Sequence, residues 1–149
     1  MIKTKVVEIT PELAGAYLSL SAGNRSLKQH KVAAYMRDMK ADRWMSNGES
    51  IIFDKDGALI DGHHRLQACI KSGSAFSSVV VTGVPVESSK TIDMGASRSS
   101  TDVLTFYGYQ NVALLGAIIR NLMSLKNGRA RSASPSQQEI FDFIESNEG

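Results

Sequence analysis

The apolar positions of this chain change period several times, and each change predicts an element boundary. Residues 5–9, Lys-Val-Val-Glu-Ile, are β-prone and read as a strand. Thr10-Pro11 then supplies a helix N-cap followed by proline at the first helical position. The helix runs to about Leu20 and is closed by Gly23. Ser26 and Gln29 form a capping-box pattern ahead of Val32, Tyr35, Met36 and Met39. Those four fall at i, i+3, i+4 and i+7, which predicts one face of an amphipathic helix over residues 27–40, with Trp44, Met36 and Met39 as core packing.

Past Trp44 the period shortens. Ser50-Ile51-Ile52-Phe53 and Ala58-Leu59-Ile60 are short β-prone runs on either side of the turn-forming Asp54-Lys55-Asp56-Gly57, which predicts a hairpin. Its second strand runs straight into Asp61-Gly62-His63-His64-Arg65, after which Leu66, Cys69 and Ile70 recur at helical spacing until Gly73. That polar run therefore sits on a strand-to-helix corner. Val79-Val80-Val81 and Val84-Pro85-Val86 read as further strand, and Asp93-Met94-Gly95-Ala96-Ser97-Arg98 as a loop before a helix capped by Ser99 or Ser100. A helix over residues 112–126 carries Leu115, Ile118, Ile119 and Leu122 on one face. A polar basic linker, 127–134, and a helix opened by Ser134-Pro135 follow. The order of elements predicts an α/β (α+β) fold, a small mixed sheet with packed helices over residues 1–108 and a helical extension over 109–149.

Composition narrows the function classes. The 149 residues are 42% hydrophobic and 21% charged, ordinary for a globular chain able to bury a core and far from the disordered regime. Seventeen basic and fifteen acidic residues leave a net charge of +2, so bulk electrostatics do not draw this chain to nucleic acid and any such contact must be a local patch. Arg120, Lys126, Arg129 and Arg131 are the candidates for a DNA phosphate contact, although their spacing is poor for a helix-turn-helix and a solvated face explains them better. The single cysteine, Cys69, excludes an internal disulfide framework, and no apolar segment follows Lys3 and Lys5 as in a secretory signal. The stretch from Val112 to Leu125 is broken by Arg120 and Asn121 and is too short for a membrane span. A reducing, cytoplasmic compartment is the expectation.

The chemistry concentrates at the corner. A strand ending in Asp-Gly and turning into a helix presents several backbone N–H groups at a helix N-terminus, where the helix dipole also favours negative charge. Gly62 lets an anion oxygen approach the backbone, and His64 and Arg65 in the first turn supply donors, the guanidinium in a fork that matches phosphate. A helix start with an arginine paired to a surface carboxylate is the plainer alternative. His63 and His64 do not read as a zinc pair, because adjacent helical side chains diverge by about 100°.

Gly62-His63-His64-Arg65 with Leu66 and Ala68, preceded by Trp44, Asn47-Gly48-Glu49-Ser50-Ile51, Phe53, Gly57 and Asp61, resembles the nucleotide-binding signature of the ParB/sulfiredoxin superfamily. The resemblance covers roughly residues 5–108 and is similar to the ParB-like domains of phage, plasmid and bacterial genomes. It implies a site for ATP or CTP with Mg2+, in which Gly62, His63, His64 and Arg65 bind phosphate, Asn24 and Arg25 add a second anion contact, and Asp93, Gly95 and Arg98 close the far side. Glu49 resembles the general base of the kinase branch, with Asp61 and His64 as further catalytic candidates and Asp61 or Glu49 as Mg2+ ligand.

The chain departs from the family in ways that matter. The sulfiredoxin cysteine falls on His63, and the Glu-Arg-Arg of partition proteins becomes His63-His64-Arg65, which puts CTP preference in doubt. The leading expectation is an NTP-binding protein that hydrolyses or transfers phosphate in DNA-related metabolism, with a homodimer as an open arrangement. The alternatives are a non-catalytic DNA-binding or phage anti-defence module, and a nuclease, for which Glu49, Asp61 and Asp93 make a thin carboxylate cluster.

Overall fold

The structure is a computed structural model that describes residues 1–21, 26–90, 92, 100–106, 108–126 and 135–147. The chain divides into two compact units, Met1–Met94 and Gly95–Gly149. The division falls ahead of the 108/109 boundary expected from sequence, because the helix that precedes that boundary shares a core with the C-terminal helices.

The first unit is a mixed four-stranded sheet with helices, as the element order predicted. Its strands are β1 (Lys3–Ile9), β2 (Ser50–Asp54), β3 (Leu59–Asp61) and β4 (Phe76–Val84), in the order β1-β4-β2-β3. Only the β2–β4 pair is parallel; β1 with β4 and β2 with β3 are antiparallel. The register pairs Ile9 with Phe76 and Ile51 with Val80, so these side chains share a face and bury together. Val6, of the opposite parity on β1, is exposed, while Ile52, Val79 and Val81 are half-buried.

Helices α1 (Pro11–Ser19), α2 (Gln29–Lys40) and α3 (His63–Ser72) complete this core. Thr10 caps α1, its hydroxyl accepting from the Leu13 N–H at 3.3 Å, with Pro11 placed as expected. On α2 the predicted face is real: Val32 and Met39 are buried, and Tyr35 and Met36 pack beside them. The Ser26–Gln29 capping box does not form. Helix α2 starts at Gln29 with Lys28, not Ser26, at the N-cap and no side-chain cap; the Lys28 N–H itself donates to a side chain of α3. Trp44 meets Tyr35 and Phe76 edge-on, at 5.6 and 5.1 Å between ring centroids.

The hairpin turn is closed by Asp54, whose Oδ1 accepts from the N–H groups of Asp56 and Ala58 at 2.9 and 2.8 Å. On α3, Leu66 and Cys69 are buried as expected, but Ile70 lies at the exposed edge of that face. Gly73 ends the helix at φ 70°. The expected strand at Val84-Pro85-Val86 stops at Val84, since Pro85 has no N–H to continue a ladder, and a 3-10 helix, Val86–Lys90, follows.

The second unit holds α4 (Ser100–Phe106), α5 (Val112–Lys126) and α6 (Gln137–Glu145) around Leu104, Ile119, Met123, Ile140 and Ile144. The inward face of α5 is Leu115, Gly116, Ile119 and Met123; Ile118 and Leu122, expected to share it, are exposed. Helix α6 begins two residues later than expected, from a complete capping box of Ser136 and Glu139 in place of Ser134-Pro135. Among the described residues no helix is long and apolar enough to cross a membrane.

Candidate functional site

The hairpin fixes the corner. Because β2 and β3 are antiparallel, the start of β2 and the end of β3 meet at the open end of the hairpin, with Ile52 opposite Asp61. Glu49, Ser50 and Asp61 are thereby brought to the N-terminus of α3, although twelve residues of chain separate Glu49 from Asp61. Gly62 makes the turn into the helix at φ 106°, and a Cβ there would run into the Ile51 side chain. Left-handed backbone and lack of space each require glycine. The N-cap carries no side-chain hydrogen bond to the first turn of α3, so this helix start is not capped from within.

Both histidines are engaged across the fold. After α1 the chain adds a short parallel bridge to the outer edge of β3, Ser21 against Leu59, with the Leu59 N–H donating to the Leu20 carbonyl at 2.9 Å. This brings the Ser21 hydroxyl to 2.7 Å from Nε2 of the buried His63. Next door, the Lys28 N–H at the start of α2 donates to Nε2 of His64 at 3.0 Å. An accepting Nε2 requires a neutral imidazole with its proton on Nδ1. The two flanks of residues 22–25 are thus anchored on consecutive side chains of the motif.

Arg65 takes a different place from the one the sequence suggests. It is 6% exposed, and its guanidinium is turned back into the open end of the hairpin. Nη2 donates to the Ser50 carbonyl at 2.8 Å and to Asp61 Oδ2 at 3.2 Å, while Nη1 lies 3.7 Å from Glu49 Oε2 and makes no hydrogen bond. Arg65 therefore frames the corner from beneath, and does not stand in solvent as a phosphate fork. The same geometry bears on Mg2+. Asp61 and Glu49, the two candidate ligands, already face a buried permanent cation, and this donor set does not fit a divalent ion while Arg65 occupies it. Among the described residues no group of three or more histidine, cysteine, aspartate or glutamate side chains could hold a metal.

The remaining candidates separate. Asn24, Arg25, Asp93, Gly95, Arg98, Arg129 and Arg131 lie outside the described residues. Arg120 and Lys126 are exposed on α5, in the second unit. Cys69 lies on the buried face of α3, where burial, reinforced by the charge of Glu12, pushes its thiol up to about 11 and so disfavours the thiolate. A depression of about 330 Å3 lined by Lys3, Thr4, Lys5, Val80 and Thr82 lies at the β1 edge of the sheet and includes no corner residue. Sequence reasoning missed Ser21, Lys28 and the Ser50 carbonyl, since two of the three act through the backbone and none carries a motif. No family model, curated protein or solved structure matches this chain.

Proposed function

We propose that the β3–α3 corner binds the phosphate groups of a nucleoside triphosphate or diphosphate. The observation that carries this reading is Gly62: a residue left-handed in backbone and closed to any Cβ, opening a helix whose first turn has no side-chain cap. Such a start offers N–H groups and the positive end of the helix dipole to an anion. The sequence resemblance to the ParB/sulfiredoxin superfamily supports the choice of a nucleotide over a simple oxyanion. In this reading Arg65 shapes the corner, the histidines hold the chain on either side of residues 22–25, and Glu49, 59% exposed at the start of β2, is the carboxylate available to a substrate hydroxyl.

Calorimetric titration of the purified protein with ATP, CTP and GTP tests it. One of these binds, and His64→Ala weakens the binding about tenfold or more while leaving the circular dichroism spectrum in place. Turnover of the bound nucleotide that Glu49→Gln abolishes without loss of binding makes the protein a phosphotransferase or hydrolase; binding without turnover makes it a nucleotide-dependent module. Binding of none of the three sinks the reading.

A further inference from the structure

We infer that Arg65 is the built-in cation of this corner, and that ligand binding there does not require a divalent metal. Three oxygens converge on one guanidinium: the Ser50 carbonyl and Asp61 Oδ2 on Nη2, at 2.8 and 3.2 Å, and Glu49 Oε2 near Nη1, at 3.7 Å. Carbonyl and carboxylate oxygens are the donors a Mg2+ or Mn2+ ion would take. Here they surround a side chain that is 6% exposed and never loses its charge. A Mg2+ ion on Asp61 Oδ2 would stand at most about 5 Å from Nη2, given its bond length of about 2.1 Å. Two cations at that separation repel strongly in a partly buried site.

The arrangement is fixed by the fold and not by a surface rotamer. Asp61 and Arg65 are four residues apart across the Gly62 turn, so the pair forms as α3 forms. Glu49 and Ser50 are delivered by the hairpin register. Arg65 Nη1, buried and without a hydrogen bond, lies 3.7 Å from the exposed Glu49 carboxylate, so one fixed cation already stands among these oxygens. An arriving phosphate then meets the α3 N-terminus and the exposed Lys28, whose N–H is held on His64, with no ion needed to bridge it to carboxylates. Removing Arg65 leaves the two carboxylates and the carbonyl around an uncompensated hollow, the donor set of a divalent site.

The inference rests on the phosphate-binding reading for its ligand arm and is independent of it for its metal arm. In the first arm, ATP and CTP are titrated into the wild-type protein in EDTA and again in Mg2+. The expected result is affinity that agrees to within about threefold; a loss of about tenfold or more in EDTA overturns the inference. In the second arm Mn2+ alone is titrated and free Mn2+ is followed by electron paramagnetic resonance. Wild-type protein leaves millimolar Mn2+ free, whereas Arg65→Gln acquires a Mn2+ site that Arg65→Gln/Asp61→Asn loses. Wild-type protein that binds Mn2+ in a way Asp61→Asn abolishes overturns the inference even if no nucleotide binds. If Arg65→Gln does not fold, the wild-type and Asp61→Asn titrations still decide. Nucleotide failure in both buffers with no wild-type Mn2+ site condemns the phosphate reading alone.

Discussion

Gly62 and Gly57 both carry positive φ, 106° and 86°, but only one of them is crowded. At Gly57, in the hairpin turn, a Cβ meets nothing within 4 Å, so alanine there costs only backbone strain, about 1–2 kcal/mol. At Gly62 the same strain is joined by overlap with the end of the Ile51 side chain, which is fully buried and must shift to make room. Overpacking adds about 1–3 kcal/mol, so Gly62→Ala destabilises the first unit by about 2–5 kcal/mol and Gly57→Ala by about 1–2 kcal/mol. Urea denaturation followed by tryptophan fluorescence measures both. Equal losses for the two variants would show that the Ile51 contact is soft and that Gly62 is required only for its turn.

At the scale of elements, α3 is tied to the sheet by a thiol. Cys69 Sγ donates to the Ile9 carbonyl at 3.5 Å, on the buried face where α3 meets the end of β1. Burial first, and the charge of Glu12 second, raise this thiol from an ordinary value of 9.0 to about 11. The sign follows from linkage. A group whose folded value is raised gives its full stabilisation below its unfolded value, and loses it as the pH climbs from 9.0 through about 11, where the unfolded chain ionises and the folded one resists. Chemical denaturation at about pH 8 and about pH 10.5 therefore shows a loss in the wild-type protein that Cys69→Ala does not share. Parallel behaviour of the two would assign the alkaline loss to other groups.

Helix starts show what sequence can and cannot say about elements. Of the Ser-x-x-Glu/Gln patterns ahead of helices, a first, Ser26–Gln29, does not form its box and a second, Ser136–Glu139, does. In the second, Ser136 and Glu139 satisfy each other's backbone N–H groups at 3.1 and 2.8 Å with both residues buried, so the local pattern is sufficient. In the first, the N-cap falls two residues beyond Ser26, at Lys28, and its N–H finds its acceptor in His64, 36 residues away, a contact that the local pattern does not contain. The same limit governs the site. The Asp61 to Arg65 corner was legible because hairpin, glycine and helix follow one another along the chain. The direction of the Arg65 guanidinium was not, because it is decided by Ser50 and Glu49, which only the β2–β3 register brings near.

Among the described residues the buried apolar side chains form two clusters. Ile9, Ala14, Val32, Met39, Ile51, Phe53, Leu59, Leu66, Ala68, Cys69, Phe76 and Val80 all belong to Met1–Met94, and Leu104, Ile119, Met123, Ile140 and Ile144 all belong to Gly95–Gly149. Sequence patterning found the helices of the second set but placed its boundary after α4. Leu104, fully buried among residues of α5 and α6, is what assigns α4 to that unit, and the apolar pattern of a seven-residue helix does not reveal its partners. Separate cores imply separate melting, and the single tryptophan allows the test. Trp44 packs on Tyr35 and Phe76 in the first unit, so its fluorescence reports that unit alone. Ile140→Ala removes a side chain 2% exposed at the centre of the second core, at a cost of about 2–5 kcal/mol to that unit. Far-UV circular dichroism then registers earlier loss of helix, while the tryptophan transition stays where it was. A tryptophan midpoint that moves with the helical one would mean that the two cores unfold as a single cooperative body despite sharing no buried residue.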